Sequence, residues 1–572
     1  MIEPVHECLA TRVRDALAQV AGRPDVDPQV RPCANPDHGD YQSNAAMGLA
    51  KELRRNPREI AQAVVDTLEV SDLCQPPTLA GPGFLNFRLR DDFLAGQLGA
   101  VLKDDRLGVP TTQHPRTVVV DYSSPNVAKP MHVGHIRSTV IGDCLARMLR
   151  ARGHTVIADN HLGDWGTQFG KILVGYRRYL DQAAFEADPV GELERLYKRA
   201  HEESERDEAT LTEAREALVR LQAGDPEAVA LWETFRAVSQ QVFDRIYQRL
   251  GVHFDVTLGE SFYNPQLGSV VQELVDKGLA EESEGALCIF FRDDPELADS
   301  PCLIRKRDGA ALYATTDLAT IQYRLAQWHP CEIVYVTDAR QQLHFKQLFA
   351  IARRWGVEAE LRHVYFGTIL GEDNRPIKTR SGEPIKLSEL LDEAEARAYE
   401  VACAKNADLS EEERRAVARI VGLGALKYAD LSQNRVSDYV FSWDKMLSMT
   451  GNTAPYLQYS YVRIRSIFRK GGASETDLPA ALPCPEPAER TLGLLLLRFP
   501  EALDQALDDY RPNMLCNYLY DLAAAFTGFY EQCPVLQAAP EVRHSRLALC
   551  QLTAAVLKQG LGLLGIEVSE RM

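Results

Sequence analysis

Thr117-Val-Val-Val-Asp121-Tyr-Ser-Ser-Pro-Asn126-Val-Ala-Lys129-Pro-Met-His132-Val-Gly134-His135 is the stretch that decides the fold. Its opening is a short β-branched run, which favours a strand. The breaker sequence Ser123-Ser124-Pro125-Asn126 ends that run. Beyond it, Ile136, Val140, Ile141, Leu145 and Leu149 recur at helical spacing, with Arg137, Arg147 and Arg150 expected on the outer face. The unit is therefore strand, loop, helix. At such a junction, unpaired backbone amides and the positive end of the helix dipole meet an anion, and phosphate suits the place. His132 and His135 are three apart and share a helix face, so two imidazoles can donate to phosphoryl oxygens, while Gly134 lets a flat ring approach the backbone. No G-x-x-x-x-G-K-[ST] occurs, so this is not a P-loop.

Outward from this unit the same alternation continues. Thr155-Val156-Ile157-Ala158, Ile333-Val334-Tyr335-Val336 and His363-Val364-Tyr365-Phe366 are further strand candidates bracketed by helical stretches, the pattern of a parallel α/β sheet. From about 172 to 251 the chain is dense in Glu, Arg and Ala and predicts a charged helical insertion. The first part mixes helical periodicity with the turn-to-strand segment Gly81-Pro82-Gly83-Phe84-Leu85-Asn86-Phe87, an α+β texture that gives way to a polar linker near 110. After about Arg414 only helical patterns remain. The expected organisation is an N-terminal α+β domain over 1–110, a Rossmann-like catalytic domain over 111–410 and an all-helical domain over 411–572.

Composition bounds what such a chain can be. Its 572 residues allow about three or four domains of ordinary size. With 45% hydrophobic and 25% charged residues it sits at the globular average, which excludes global disorder. The apolar run Leu494–Leu497 is far too short to cross a bilayer, and Glu3, His6 and Glu7 stand where a secretory signal needs a basic then apolar stretch. No two of the 12 cysteines lie within five positions, so no paired zinc or redox motif is expected, and they suit a reducing, cytoplasmic setting. The net charge of −17 argues against a protein coated in positive charge, without excluding a local basic groove.

His132-Val-Gly-His135 resembles the His-Ile-Gly-His signature of class I aminoacyl-tRNA synthetases. The wider pattern is similar to the arginyl-tRNA synthetase family. It includes His161-Leu-Gly-Asp164-Trp-Gly-Thr-Gln168, Gly259-Glu260-Ser261, Tyr313-Ala-Thr-Thr-Asp317, Asp338-Ala-Arg-Gln341-Gln-Leu-His344, Asn452-Thr-Ala-Pro-Tyr456-Leu-Gln-Tyr459 and Glu570-Arg-Met572, in order along nearly the whole chain. The resemblance implies ATP-driven activation of arginine and its transfer to tRNA(Arg) by a monomer, with Mg²⁺ accompanying ATP and no protein-held metal. It places Glu260, Tyr313 and Asp317 around the guanidinium, and Asp121, Asn126 and Gln341 at the amino-acid head group. Acidic side chains suit that substrate, because a planar guanidinium meets a carboxylate bidentately.

His132, Gly134, His135, Gly163, Asp164 and Trp165 are implied at ATP, with Lys129 near the phosphates. The family's Lys-Met-Ser-Lys-Ser loop corresponds here to Ile377-Lys378-Thr379-Arg380-Ser381-Gly382, so Lys378, Arg380, Lys386 and Lys129 are all candidates to neutralise pyrophosphate. For RNA, Tyr456, Tyr459, Tyr461, Arg463, Arg465 and Phe468 interleave aromatic and basic residues, which stacks unpaired bases and meets phosphates, although an amphipathic helix with core tyrosines reads the same way. The resemblance adds Phe84 and Asn86 at the tRNA elbow and Met572 near the anticodon. A small adenylyltransferase would need no helical C-terminal part. A catalytically silent RNA-binding paralogue would be expected to have lost His132, His135 or the acidic residues.

Overall fold

In the computed structural model, described over residues 2–307, 309–377, 384–405, 408–471 and 479–572, the chain forms two compact units. One comprises 113–447 with 564–566, and the other joins 1–112 to 448–563 and 567–572.

The first unit is built on a five-stranded parallel sheet: β1 (Thr117–Asp121), β2 (Thr155–Leu162), β3 (Val256–Gly259), β4 (Glu332–Tyr335) and β5 (Glu360–His363), in the order β5-β4-β1-β2-β3. Val118, Val119 and Val120 of the central strand have no exposed surface, as a strand covered on both faces requires. The chain runs from β1 to β2 and β3 on one side, then to β4 and β5 on the other. Strand order thus reverses between β1 and β4, which opens a crevice at their carboxyl ends.

Helix α1 (Val133–Ala151) leaves β1 through the Ser-Ser-Pro-Asn loop. Arg137, expected on its outer face, is instead 1% exposed. Its guanidinium lies 3.1 Å from Asp430 and donates to the carbonyls of Gly367 (2.7 Å), Ser437 (3.3 Å) and Arg435 (3.3 Å). A buried cation is tolerated only with such a full set of acceptors.

The insertion is helical throughout its principal elements: α2 (Gln168–Tyr179), α3 (Pro189–Arg206), α4 (Glu208–Gln222) and α5 (Pro226–Leu250). Phe169, Leu193, Ala217, Trp232 and Phe235 share one apolar cluster with Val127 and Ala128 of the loop after β1. After β3 come an antiparallel ribbon of Glu281–Ser283, Ala286–Ile289 and Cys302–Arg305, then α6 (Tyr313–Trp328) and α7 (Gln342–Trp355) on either side of β4. Next are α8 (Leu387–Lys405) and α9 (Glu411–Leu431), which pack on each other and on α1. Helix α9 lies beyond the boundary expected near 410, yet it supplies Asp430 to Arg137 and belongs to this unit, which runs to Leu447.

The second unit contains an antiparallel sheet in the order Val30–Pro32, Tyr41–Ser43, Phe84–Phe87, Thr78–Ala80, followed in sequence by C-terminal helices that include α10 (Ala454–Gly471) and α11 (Pro512–Gln532). Its early and late segments are tied together. Arg490 meets both oxygens of the 5%-exposed Asp40 at 3.0 and 2.9 Å. A Cβ added to Gly99 would stand 2.1 Å from the Ala480 carbonyl oxygen, so this contact requires glycine.

Candidate functional site

Beside the crevice, the loops that follow β1 and β2 are zipped to each other. The Val127 N–H donates to the Gly163 carbonyl at 3.0 Å, and the Gly163 N–H to that of Pro125 at 3.1 Å. A Cβ on Gly163 would fall 2.3 Å from Asn126 Oδ1. Glycine there lets Asn126 keep its exposed position at the rim. Ser123 (φ +71°) and Ser124 (φ +48°) take the left-handed conformation, which costs free energy in non-glycine residues. They are held by Ser138 Oγ on the Ser123 N–H (2.8 Å), Asn160 Oδ1 on the Ser124 N–H (3.1 Å) and Tyr247 of α5, whose hydroxyl lies 2.8 Å from Ser123 Oγ.

At the entrance to α1 the two histidines form a reciprocal cap. The Gly134 N–H donates to His132 Nδ1 and the His132 N–H to His135 Nδ1, each at 3.0 Å. A ring nitrogen that accepts a backbone N–H carries no proton, so both rings are Nε2–H tautomers. Crowding by protein atoms, then Arg340, pulls the His132 pKa below 6.5. Burial and His132 push His135 down to about 3. Both are neutral donors near pH 7. Gly134 serves the cap itself, because a Cβ would come within 2.9 Å of the His132 ring.

Residues 385–387 pair alongside: the Val133 N–H donates to Ile385 O at 2.9 Å and the Leu387 N–H to Met131 O at 2.8 Å. This holds Lys386 opposite His132, with its Nζ 3.4 Å from Asp188. Lys129 Nζ lies 5.3 Å from the centre of the Tyr197 ring of α3. Lys378 and Arg380 lie outside the described residues.

The acidic residues gather around the first turn of α6. Tyr313 is 64% exposed, and Asp317, one turn along, accepts from His344 Nε2 of α7 at 2.6 Å. Burial pulls His344 down, but its contact with Asp317 outweighs this and leaves its pKa raised. Glu260, half-buried just after β3, is pushed up to about 8 by burial, then by Asp317 and Asp164. Gln341 is exposed in the turn before α7.

Two expected ligands are already engaged. Asp164, implied at ATP, has no exposed surface. One of its oxygens accepts from the Ser261 N–H at 2.8 Å, the other from Ser261 Oγ at 2.7 Å, and Arg236 Nε of α5 stands 2.9 Å away. It is a strut that fixes the Glu260 turn, whereas Trp165 beside it is partly exposed. Asp121, implied at the head group, is 6% exposed, with one oxygen 2.6 Å from Arg324 and the other accepting from Ser124 Oγ at 3.0 Å. Arg324, with no exposed surface, also reaches Asp159 at 2.8 Å.

Arg324, Arg236, Tyr247 and His344 were not foreseen as parts of the site. One signal existed: Asp121 and Asp159 each interrupt or end a strand pattern, and a buried carboxylate pair demands a cation.

In the other unit, Tyr456, Tyr459 and Arg463 share one face of α10. Tyr459 is 45% exposed, Tyr456 stands 5.8 Å from Tyr520, and the Arg463 guanidinium lies 4.4 Å from the Tyr530 ring centre, both tyrosines on α11. Tyr461 and Phe468 point into the core at 3% and 6% exposure, as an amphipathic helix with core tyrosines requires, while Tyr459 stays on the open face. The last residues follow α10: Glu570 accepts from Tyr461 Oη and Arg465 Nε, each at 2.8 Å, which leaves Met572 partly exposed beyond them. Phe84 is partly exposed, but Asn86 is 4% exposed, in a strand paired on both sides, and its side chain does not present itself to a partner.

Among the described residues, no helix is long and apolar enough to cross a membrane, and no group of three or more His, Cys, Asp or Glu could hold a metal ion.

Residues 97–443 match the class I (R) tRNA synthetase catalytic domain, 457–572 the DALR anticodon binding domain and 7–89 the arginyl-tRNA synthetase N-terminal domain. The chain is 45% identical over 575 residues to an arginine–tRNA ligase of Marinomonas sp. (strain MWYL1), covering 99% of this chain and 100% of that one. The corresponding protein of Laribacter hongkongensis (strain HLHK9) is 47% identical, with the same coverage. Among solved structures, the arginyl-tRNA synthetase of Plasmodium falciparum superposes with a TM-score of 0.87 at 30% identity and full coverage of both chains. That of Thermus thermophilus gives 0.86 at 28% identity, covering 99% of this chain and 100% of that one.

Proposed function

The chain belongs to the arginyl-tRNA synthetase family and joins arginine to tRNA(Arg) with ATP, and from that premise we propose how its residues divide the work. Arginine's carboxylate attacks the α-phosphorus of ATP, pyrophosphate leaves, and the arginyl group passes to the 3′-terminal adenosine. Such reactions are accelerated mainly by positioning and by donors aimed at developing charge.

The reciprocal histidine cap carries this reading. With both Nδ1 atoms occupied by backbone N–H groups, His132 and His135 have only Nε2–H left to offer, and they offer it to phosphate oxygens. Gly163 and Trp165 border the nucleotide. Lys129, Lys386 and, in the loop outside the described residues, Lys378 and Arg380 supply cations for pyrophosphate. Tyr313, Asp317 and Glu260 take the guanidinium. Asn126 and Gln341 take the head group, with Asp121 acting beneath them through its own fixed geometry. Tyr456, Tyr459, Arg463 and Met572 form the anticodon surface, and the exposed edge of Phe84 meets tRNA.

Mg²⁺ enters on the ATP phosphates. The donors around the cap are neutral imidazoles and lysines, groups that meet phosphate oxygens rather than a hard cation. The enzyme works as a monomer in the cytoplasm.

The test is exchange of labelled pyrophosphate into ATP, with and without tRNA, using arginine and, as controls, lysine and glutamine. Arginine alone supports exchange; equal exchange with lysine would refute the acidic-pocket assignment. In the same assay, His132→Asn and His135→Asn each lower the rate about 10²- to 10³-fold. Asparagine can keep the cap, since its Oδ1 replaces Nδ1, but it has nothing at the Nε2 position. The melting temperature should therefore stay close to wild type, and a variant that keeps full exchange activity overturns the donor role.

A further inference from the structure

We infer that arginine entering this pocket drives a proton off Glu260 into solvent, so that the pocket responds to the fixed charge of its substrate. The inference rests on the guanidinium pocket proposed above and concerns the charge balance within it.

Three carboxylates converge where α6, the loop after β2 and the turn after β3 meet, and two of them have basic partners assigned by the fold. Asp164 has Arg236 of α5 at 2.9 Å, as well as the N–H and hydroxyl of Ser261. Asp317 has His344 of α7 at 2.6 Å. Glu260 has no ion-pair partner among the described residues and receives only the Trp165 backbone N–H. Arg324, further along α6, is committed to Asp121 and Asp159. From α6, Glu260 faces Tyr313 and Asp317, and both carboxylate neighbours repel a third negative charge. Its carboxyl is accordingly held up at about 8, so near pH 7 the empty pocket contains Glu260 as the acid.

A guanidinium between Glu260 and Asp317 supplies the missing charge and a fork of N–H donors that fits two carboxylates. Free arginine's own group keeps its proton throughout, since its pKa exceeds about 12. The balance is therefore Glu260–COOH plus guanidinium giving Glu260–COO⁻·guanidinium plus one proton to water. Affinity for arginine must then rise with pH up to about 8 and level off above it, falling about tenfold per unit below. Citrulline, with a neutral ureido group in place of guanidinium, provides no charge to expel the proton.

The experiment is calorimetric titration of the full-length enzyme with arginine at pH 7, alone and with tRNA already bound. It is run in phosphate and in Tris, whose ionisation enthalpies differ, together with Kd from pH 6 to 9. Close to one proton is released per arginine in wild type. Glu260→Gln binds more weakly and loses the pH dependence above pH 7, leaving only the share His344 contributes at lower pH. Identical enthalpies in the two buffers and a flat Kd in wild type, with Glu260→Gln still weakened, overturn the proton release while leaving the pocket standing. Wild-type affinity in both Glu260→Gln and Asp317→Asn overturns the pocket itself and the inference with it.

Discussion

Asp317→Asn lowers kcat/KM for arginine by about 10³-fold and leaves the KM for ATP within a few-fold. The magnitude follows from truncating one partner of a desolvated charge pair, which costs about 2 to 5 kcal/mol, with each 1.4 kcal/mol worth a factor of ten. Asparagine keeps the shape and one carbonyl acceptor, so the loss reports charge and the second acceptor, not a cavity. Asp317 also holds His344 at 2.6 Å and raises its pKa, so in the variant His344 falls back toward what its burial alone dictates and stays neutral at pH 7. Steady-state aminoacylation with arginine and ATP varied separately measures the effect. A loss smaller than tenfold, or one shared equally by ATP, would remove Asp317 from the guanidinium site.

Arg324→Met destabilises the 113–447 unit by about 3 to 5 kcal/mol. β1 and β2 place Asp121 directly across from Asp159 in register, and both are buried, at 6% and 0% exposure. Arg324 is the cation that spans them, at 2.6 and 2.8 Å. Methionine fills much of the volume but leaves two facing carboxylates without a counterion, and the penalty for that exceeds the net worth of the original contacts. For a unit of this size the loss lowers the melting transition on the order of 10 °C. Asp121→Asn and Asp159→Asn added to Arg324→Met recover part of it. Calorimetry of the full-length protein, following the transition assigned to this unit, is the measurement. A transition within about a degree of wild type would show that the pair is neutralised by other means.

These two residues mark what could and could not be read from sequence. Asp317 belongs to a local string, Tyr313-Ala-Thr-Thr-Asp317, whose spacing and company are visible without a structure. Arg324 sits seven residues further along the same helix and looks like any solvated arginine. Its role exists only because β1 and β2 bring two aspartates together from 121 and 159. Arg137 is the same case in reverse: periodicity put it on the outer face, and four groups drawn from distant loops and α9 put it inside.

The parallel sheet was legible because its central strand is a continuous β-branched run. β3 was not, because Val256–Gly259 is four residues long and partly exposed. The strand expected at His363–Phe366 begins at Glu360 instead; Val364 and Phe366 carry on its pairing with Tyr335 and Thr337 outside a regular ladder. The insertion was visible as helix but silent as to purpose. That purpose is bracing: Trp232 Nε1 donates to the Asp164 carbonyl at 2.8 Å, Arg236 faces the Asp164 side chain, and Ser239 Oγ accepts the Ala128 N–H at 2.9 Å.

The clasp of Asp40 by Arg490 joins residues 450 positions apart in one unit, and this orders events during synthesis. The ribosome releases the opening hundred residues long before the helices that cover them exist, whereas 113–447 emerges almost whole and in sequence. Domains fold as their chain becomes available. The middle of the protein therefore completes its chain while Asp40 still waits for Arg490, a partner encoded near the end of its own message.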